Sequence, residues 1–391
     1  MKILFDHQIF EMQLYGGISR YFYELISKIN KTKICEFELS IKYSSNQYLK
    51  KDVFFGKKIK DLRKYARFLP NIEFKGKGII YKLLKSVGLI DFQYLVNENY
   101  SINNIKKGNF DVFHPTYYKN YFLNYIKNKP FILTVHDLIP EIFPQYAKDE
   151  LFFLDSKKIL LKKAAKIIAV SQNTKNDIIY YYGIDDKNIN VIYHGSSLNN
   201  SINFEKINPI FLRQIPSKYI LFVGNRQGYK NFIFFIESVY PLLIKDKSLN
   251  IVCAGGNNFS NEELILFNKL KIADRILHVD VNNDILKYLY SNALVFVFPS
   301  LYEGFGIPIL EAFSCNCPVV LSNSSSFPEV AGDAAIYFDL KDKESLTEAI
   351  KSIINNDNLR QGLIAKGQNR VKKFSWEKTM KETISVYKSI I

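Results

Sequence analysis

Two carboxylates and two cations are the residues of this chain best spaced to do chemistry together. Glu303 and Glu311 stand eight residues apart in Pro299-Ser-Leu-Tyr-Glu-Gly-Phe-Gly-Ile-Pro-Ile-Leu-Glu311, with Gly304, Phe305 and Gly306 following the first acid. Glycines let a loop pass close to a ligand, and successive backbone N–H groups there open into a helix N-terminus. The partial positive charge of such a terminus suits a phosphate or sugar hydroxyls. Both glutamates, one in the loop and one in the helix, can accept hydrogen bonds from hydroxyl groups. The plainer reading is a helix opened by Gly and Pro with two incidental acids. The cations lie in Phe222-Val-Gly-Asn-Arg-Gln-Gly-Tyr-Lys-Asn231, where Asn225 precedes Arg226, and Lys230 follows four residues later. Two cations aimed at a leaving group that gains negative charge stabilise the transition state of its departure. Arg226 can grip a phosphate through its fork and Lys230 as a point charge. Here the plainer reading is a solvated loop.

Other segments add weaker signals. His136 and Asp137 end Thr134-Val-His-Asp137, just after an apolar run; a lone His in that position is most often structural. Gly16 and Gly17 lie in Tyr15-Gly-Gly-Ile-Ser-Arg-Tyr21, where any tight turn into a helix would use them. Arg20, one turn on, can meet an anionic acceptor or simply cover the helix. The chain has no D-x-D metal site, no P-loop and no G-x-S-x-G elbow. No G-x-G-x-x-G follows the first apolar run, which weighs against a dinucleotide oxidoreductase.

Two alternating series of strands and helices position these residues. In the first, strands are predicted at Met1–Phe5, Asp111–His114, Phe131–Val135, Lys166–Val170 and Ile189–Tyr193, with helices near Ile18–Ile29, Leu151–Ala165 and Gln172–Tyr182. In the second, strands fall at Tyr219–Val223, Leu249–Ala254, Ile276–Val279, Leu294–Phe298 and Pro318–Leu321. Helices lie between them and at Lys343–Asn355, Asn358–Phe374 and Trp376–Ile391. Continuous apolar strands alternating with amphipathic helices indicate parallel sheets covered on both faces. Polar Gly195–Ser217, broken by Pro209 and Pro216, reads as a linker. The expected organisation is therefore an α/β protein of two Rossmann-like domains facing across a cleft: residues 1–196 as the first domain, 197–217 as linker, 218–374 as the second domain, and 375–391 as a helix returning to the first lobe. Ligands of open α/β sheets gather at the carboxyl ends of the strands.

Composition narrows the class. The chain has 391 residues, comfortable for two domains, with 47% hydrophobic and 23% charged residues. No run approaches the roughly 20 apolar residues of a membrane span. The N-terminus lacks an apolar leader, so a cytoplasmic protein is expected. Cys35, Cys253, Cys315 and Cys317 read as reduced, mostly buried thiols. The net charge is +15, and residues 1–200 carry 31 basic against 19 acidic residues. Much of the excess lies between Lys50 and Lys85, interleaved with aromatic and aliphatic residues. Such a stretch suits peripheral contact with the anionic inner face of the cytoplasmic membrane or a phosphorylated acceptor, or is simply a solvated face. No nucleic-acid motif is present and no nucleic-acid partner is expected.

Pro299–Ala312 resembles the E-x7-E signature of the retaining glycosyltransferases of family 4, which have the GT-B fold. The resemblance implies that Glu303 and the backbone of Gly304, Phe305, Gly306 and Ile307 contact the transferred sugar, and that Glu311 holds the ribose hydroxyls. Gly224–Asn231 is similar to the family's diphosphate clamp, in a form associated with bacterial surface-polysaccharide mannosyltransferases. The more widespread pattern places the Arg one residue earlier. His136 matches the family's His-Asp pair and is implied to reach the sugar, with Asp137 orienting its imidazole or capping the next turn. Gly16 and Gly17 match the glycine loop where acceptor and diphosphate approach backbone amides. Val279 and Val281 lie where relatives hold the base by main chain. Ala169–Thr174 and Val191–Gly195 match two family strand ends, with His194 replacing the usual Asn.

The resemblance implies a retaining, metal-independent enzyme without a cofactor. It would move a sugar, with mannose or a relative from a GDP donor as the best guess, onto an O-antigen, capsule or other lipid-linked or surface glycan. Left open are a non-hydrolysing nucleotide-sugar epimerase on the same architecture and a catalytically silent glycan- or nucleotide-binding subunit.

Overall fold

The computed structural model describes residues 1–59, 74–86, 92–148, 150–196, 198 and 207–391. Residues 60–73 of the basic 50–85 stretch, and 197 and 199–206 of the linker, lie outside these residues. The first lobe is built on β1 (Lys2–Phe5), β2 (Glu36–Leu39), β3 (Val112–His114), β4 (Ile132–Val135), β5 (Lys166–Ala169) and β6 (Ile189–Val191). They form two three-stranded parallel sheets, β2-β1-β3 and β4-β5-β6, which a parallel bridge between Phe113 and Phe131 joins into one run. The second lobe holds β7 (Tyr219–Val223), β8 (Asn250–Ala254), β9 (Ile276–Val279), β10 (Val295–Phe298), β11 (Val319–Ser322) and β12 (Ile336–Phe338). Their order is β12-β11-β10-β7-β8-β9, and every pairing is parallel. Helices on both faces of this sheet bury two separate apolar clusters. That arrangement explains why β7, β10 and β11 are apolar at nearly every position.

The two edge strands β2 and β12 were not expected. Glu36-Phe-Glu-Leu39 alternates charged and apolar residues because one face meets solvent, and Ile336-Tyr-Phe338 is only three residues long. The linker is also more ordered than expected: Pro209 opens the helix Pro209–Gln214 rather than breaking structure. At a first helical position the missing N–H costs nothing and the fixed φ is already helical. The four cysteines are free, and all but Cys35 are buried.

Helix Trp376–Lys388 follows the last second-lobe helix yet buries Trp376, Met380, Ile384 and Tyr387 in the first-lobe core. Thr379 Oγ1 donates to the carbonyl of Tyr193, 2.6 Å away, and Lys28 of helix Gly17–Thr32 is ion-paired with Glu377. The candidate site residues singled out above lie beyond the carboxyl ends of β1, β4, β7, β9 and β10, except Val279, which ends β9 itself.

Candidate active site

The loop after β10 is held from several sides. The Glu303 N–H donates to Ser325 Oγ at 3.0 Å, and Ser326 Oγ donates to the carbonyls of Glu303 (2.9 Å) and Phe305 (3.0 Å). Gly306 has φ +93°, a left-handed conformation that favours glycine, and helix Ile307–Ser314 starts immediately after it. Gly304 is required for space: a Cβ there would lie 1.7 Å from the carbonyl oxygen of His136 in the opposite lobe. Phe305 turns its ring into apolar packing against His194 and Phe374, so only its main chain is left for a ligand. Ile307 packs against the cores of both lobes.

Each glutamate of this segment faces a cation. Lys230 Nζ lies 2.6 Å from Glu303 Oε1, with both side chains largely buried. Asn231, with φ 58°, turns the chain from the short 3-10 turn Gly228–Lys230 into helix Phe232–Lys245 and so directs Lys230 at the loop. Glu311 Oε1 lies 2.5 Å from an Arg20 amino nitrogen, and its Oε2 accepts a long 3.4 Å contact from Tyr290. Arg20 comes from the first lobe, so this buried ion pair crosses between lobes. Arg20 also lines an interlobe cleft of about 930 Å³ with Tyr15, Tyr48, Gly255, Asp280 and Asn282. Val281 lines the same cleft, whereas buried Val279 ends β9 behind it.

Gly16 and Gly17 stand at the start of helix Gly17–Thr32. Gly16 is extended (φ 172°), a conformation open to any residue, and a Cβ on it would press on the Gln13 side chain, 2.2 Å from its Oε1. A Cβ on Gly17 would have open space around it.

His136 is buried beside Tyr21, Phe22 and His194. Burial, with the nearby His194, drives its pKa well below the usual histidine range, so the ring is neutral. Its Nε2 is buried and has no hydrogen-bond partner, so it is a polar atom with bonding capacity to spare. Of the two roles expected for Asp137, the structure gives capping: its Oδ1 accepts the N–H of Ile139 at 3.2 Å. Burial raises the Asp137 pKa, opposed by the nearby Lys157. Lys157 is itself buried; its Nζ donates to the Asp137 carbonyl and pairs with Glu141, both at 2.8 Å.

Arg226 corrects an expectation. Its fork does not point at the cleft as a diphosphate grip: the buried guanidinium is committed to Glu263, with Nε 2.8 Å from Oε1. It also donates to the carbonyls of Asn257 (2.6 Å) and Asn258 (3.0 Å) and lies over the Phe259 ring. Arg226 therefore staples the loop after β8 that walls the cleft. Asn225 serves the same turn, with Oδ1 accepting the Arg226 N–H. Glu263 was missed, although Ser260-Asn-Glu-Glu263 carries a legible capping box, and the structure forms it. Also missed were Ser325 and Ser326, which hold the Glu303 loop, and Glu329. The latter binds the N–H groups of Gln172 and Asn173 and the Tyr193 hydroxyl across the lobes.

Residues 203–370 match the family model of the group 1 glycosyl transferases, and residues 92–199 match that of glycosyltransferase family 4. An Escherichia coli O-antigen chain mannosyltransferase B is 30% identical over 272 residues, covering 66% of this chain and 70% of that protein. The chain is a family 4 glycosyltransferase. An O-antigen chain mannosyltransferase of Salmonella typhimurium is 32% identical over 224 residues, 56% of this glycosyltransferase and 60% of the relative. In fold, the glycosyltransferase is similar to Anabaena HepE, solved in complex with UDP and glucose. The TM-score is 0.70 at 16% identity, covering the whole of both chains. The two facing parallel-sheet lobes are thus the GT-B fold.

Proposed function

We propose that this glycosyltransferase transfers a hexose, mannose or a close relative, from a GDP donor to a growing O-antigen, capsule or other surface glycan, with retention of anomeric configuration and without a metal ion. The observation that carries this reading is the pairing of Glu303 with Lys230 at the junction of the lobes, where the adjoining Gly304 closes on the His136 main chain and the His136 Nε2 has no partner. A sugar seated there meets one carboxylate and one imidazole able to bond its hydroxyls, and its leaving group meets Lys230. As the glycosidic bond breaks, negative charge grows on the departing diphosphate, and the Lys230 ammonium stabilises it in a largely water-excluded site. The acceptor hydroxyl attacks on the face the diphosphate leaves, and a departing phosphate oxygen takes its proton. Burial makes the His136 imidazole a weak base, so it binds without competing for that proton. The names of the two mannosyltransferase relatives support the sugar and acceptor class.

The test pairs binding with turnover. GDP alone, without metal, should raise the melting temperature, since a ligand of the folded state stabilises it. Lys230→Met and Glu303→Gln should each lower transfer by about 10²-fold or more at nearly unchanged melting temperature. A shift with UDP in place of GDP discards the donor assignment. Near-normal turnover of either variant discards the site.

A further inference from the structure

We propose that the second cation of the diphosphate site is Arg20, supplied from the first lobe, so that the clamp joins Lys230 of one lobe with Arg20 of the other. This rests on the nucleotide-sugar reading above. The residue that sequence spacing pairs with Lys230 is unavailable, because Arg226 is buried against Glu263 and two main-chain carbonyls. The second-lobe wall of the 930 Å³ cleft offers no replacement: its residues from Gly255–Asn257 and Asp280–Leu286 include Asp280 and Asp284 and no lysine or arginine. The cations on that cleft are Arg20 and Lys51, both from the first lobe.

Of these two, Arg20 is the one placed to act with the glutamates. It lies in the first turn of helix Gly17–Thr32, its N–H bonded to the Gly16 carbonyl, beside the open space at Gly17. Its guanidinium is buried and already holds Glu311, the partner acid of Glu303. Lys51 is exposed and donates to the Tyr15 hydroxyl. A planar guanidinium presents five N–H donors in a fork, so Arg20 can bond Glu311 and a phosphate oxygen together or exchange one for the other. Each carboxylate of the E-x7-E segment then has its own cation, Lys230 for Glu303 and Arg20 for Glu311. A diphosphate lying between them draws the two lobes onto one ligand.

The discriminating measurement compares nucleoside diphosphates with nucleosides. Affinities of wild type, Arg20→Met, Arg20→Lys and Arg226→Met for GDP, guanosine, UDP and uridine are read by calorimetry, with unliganded melting checked for each. Arg20→Met should weaken diphosphate binding at least about tenfold, as expected for a lost charge-assisted bond, with nucleoside affinity within about twofold of wild type. Arg20→Lys keeps the charge and loses the fork, so it should fall between the two and serves if the methionine variant melts early. Arg226→Met, which loosens the cleft wall, should weaken diphosphate and nucleoside alike. Unchanged diphosphate affinity in both Arg20 variants, or equal losses for diphosphate and nucleoside, overturns the assignment. So does a phosphate-selective loss in Arg226→Met alone. Wild type that binds neither diphosphate instead overturns the proposed function, and the Arg20 assignment falls with it.

Discussion

At the scale of single residues, the lobes approach each other at Gly304 only because that residue has no side chain. A Cβ on Gly304 would sit 1.7 Å from the His136 carbonyl oxygen and 3.1 Å from Asp137 Cβ. The first of these neighbours is main chain, which cannot rotate aside. Gly304→Ala must therefore push the Glu303 loop away from the His136 turn. Reacting groups misplaced by about 1 Å cost on the order of 10²-fold in rate, so the variant should lose at least that much turnover. The displacement lies between the lobes, outside either core, so the melting temperature should fall only modestly. Turnover near wild type would show that the approach of the loop to His136 is dispensable. The glycine was visible in the sequence, but its reason was not, since His136 lies in the other lobe. Arg226 shows the same limit from the opposite side. Its type and spacing suggested a phosphate grip, and Glu263, on the helix after β8, took it instead.

At the scale of elements, helix Trp376–Lys388 ties the end of the second lobe back into the first-lobe core. Its sequence pattern was legible because Trp376, Met380, Ile384 and Tyr387 recur at helical spacing. The surface it joins was suggested only by its place at the end of the chain. Trp376 is buried against Tyr21 and His194, and Gly195 passes so close that a Cβ on it would lie 2.3 Å from the Trp376 nitrogen. Trp376→Ala should therefore cost about 3–5 kcal/mol, measured by denaturant unfolding, and should lower turnover by loosening the cleft. A loss under about 1 kcal/mol would mean that the helix rests on the first lobe without anchoring it. The central strands β7, β8, β10 and β11 were likewise readable, as buried apolar runs bounded by turn residues. Edge strands β2 and β12 were not, because a strand with one wet face or three residues leaves too little pattern.

At the scale of the whole molecule, four of the five histidines (His7, His114, His136 and His194) are buried in the first lobe. Burial holds all four below the ordinary value, His7 to about 4 and His114 and His194 to about 3. Below pH 6.5 the unfolded chain takes up protons that these folded groups refuse. Their contribution to stability is full above that pH and is lost as pH falls toward 4 and 3. Burial raises the carboxyl of Glu150 to about 7, and it raises Asp137 and Asp177 too. These groups act in the opposite direction, so the effect is cleanest as a difference between proteins. His194 is suited to the comparison: its Nδ1 has no hydrogen-bond partner, and asparagine is a residue of similar polarity. Whatever stability His194→Asn loses at pH 7.5, it should regain relative to wild type on acidification. The gain should approach about 1.4 kcal/mol per pH unit between pH 6 and 4, read from denaturant unfolding at each pH. Parallel stability curves would mean that His194 titrates alike in both states. A converging pair would place part of the acid limit of this glycosyltransferase in the packing around the lobe junction, where burial holds His194 and His136 below the usual histidine range.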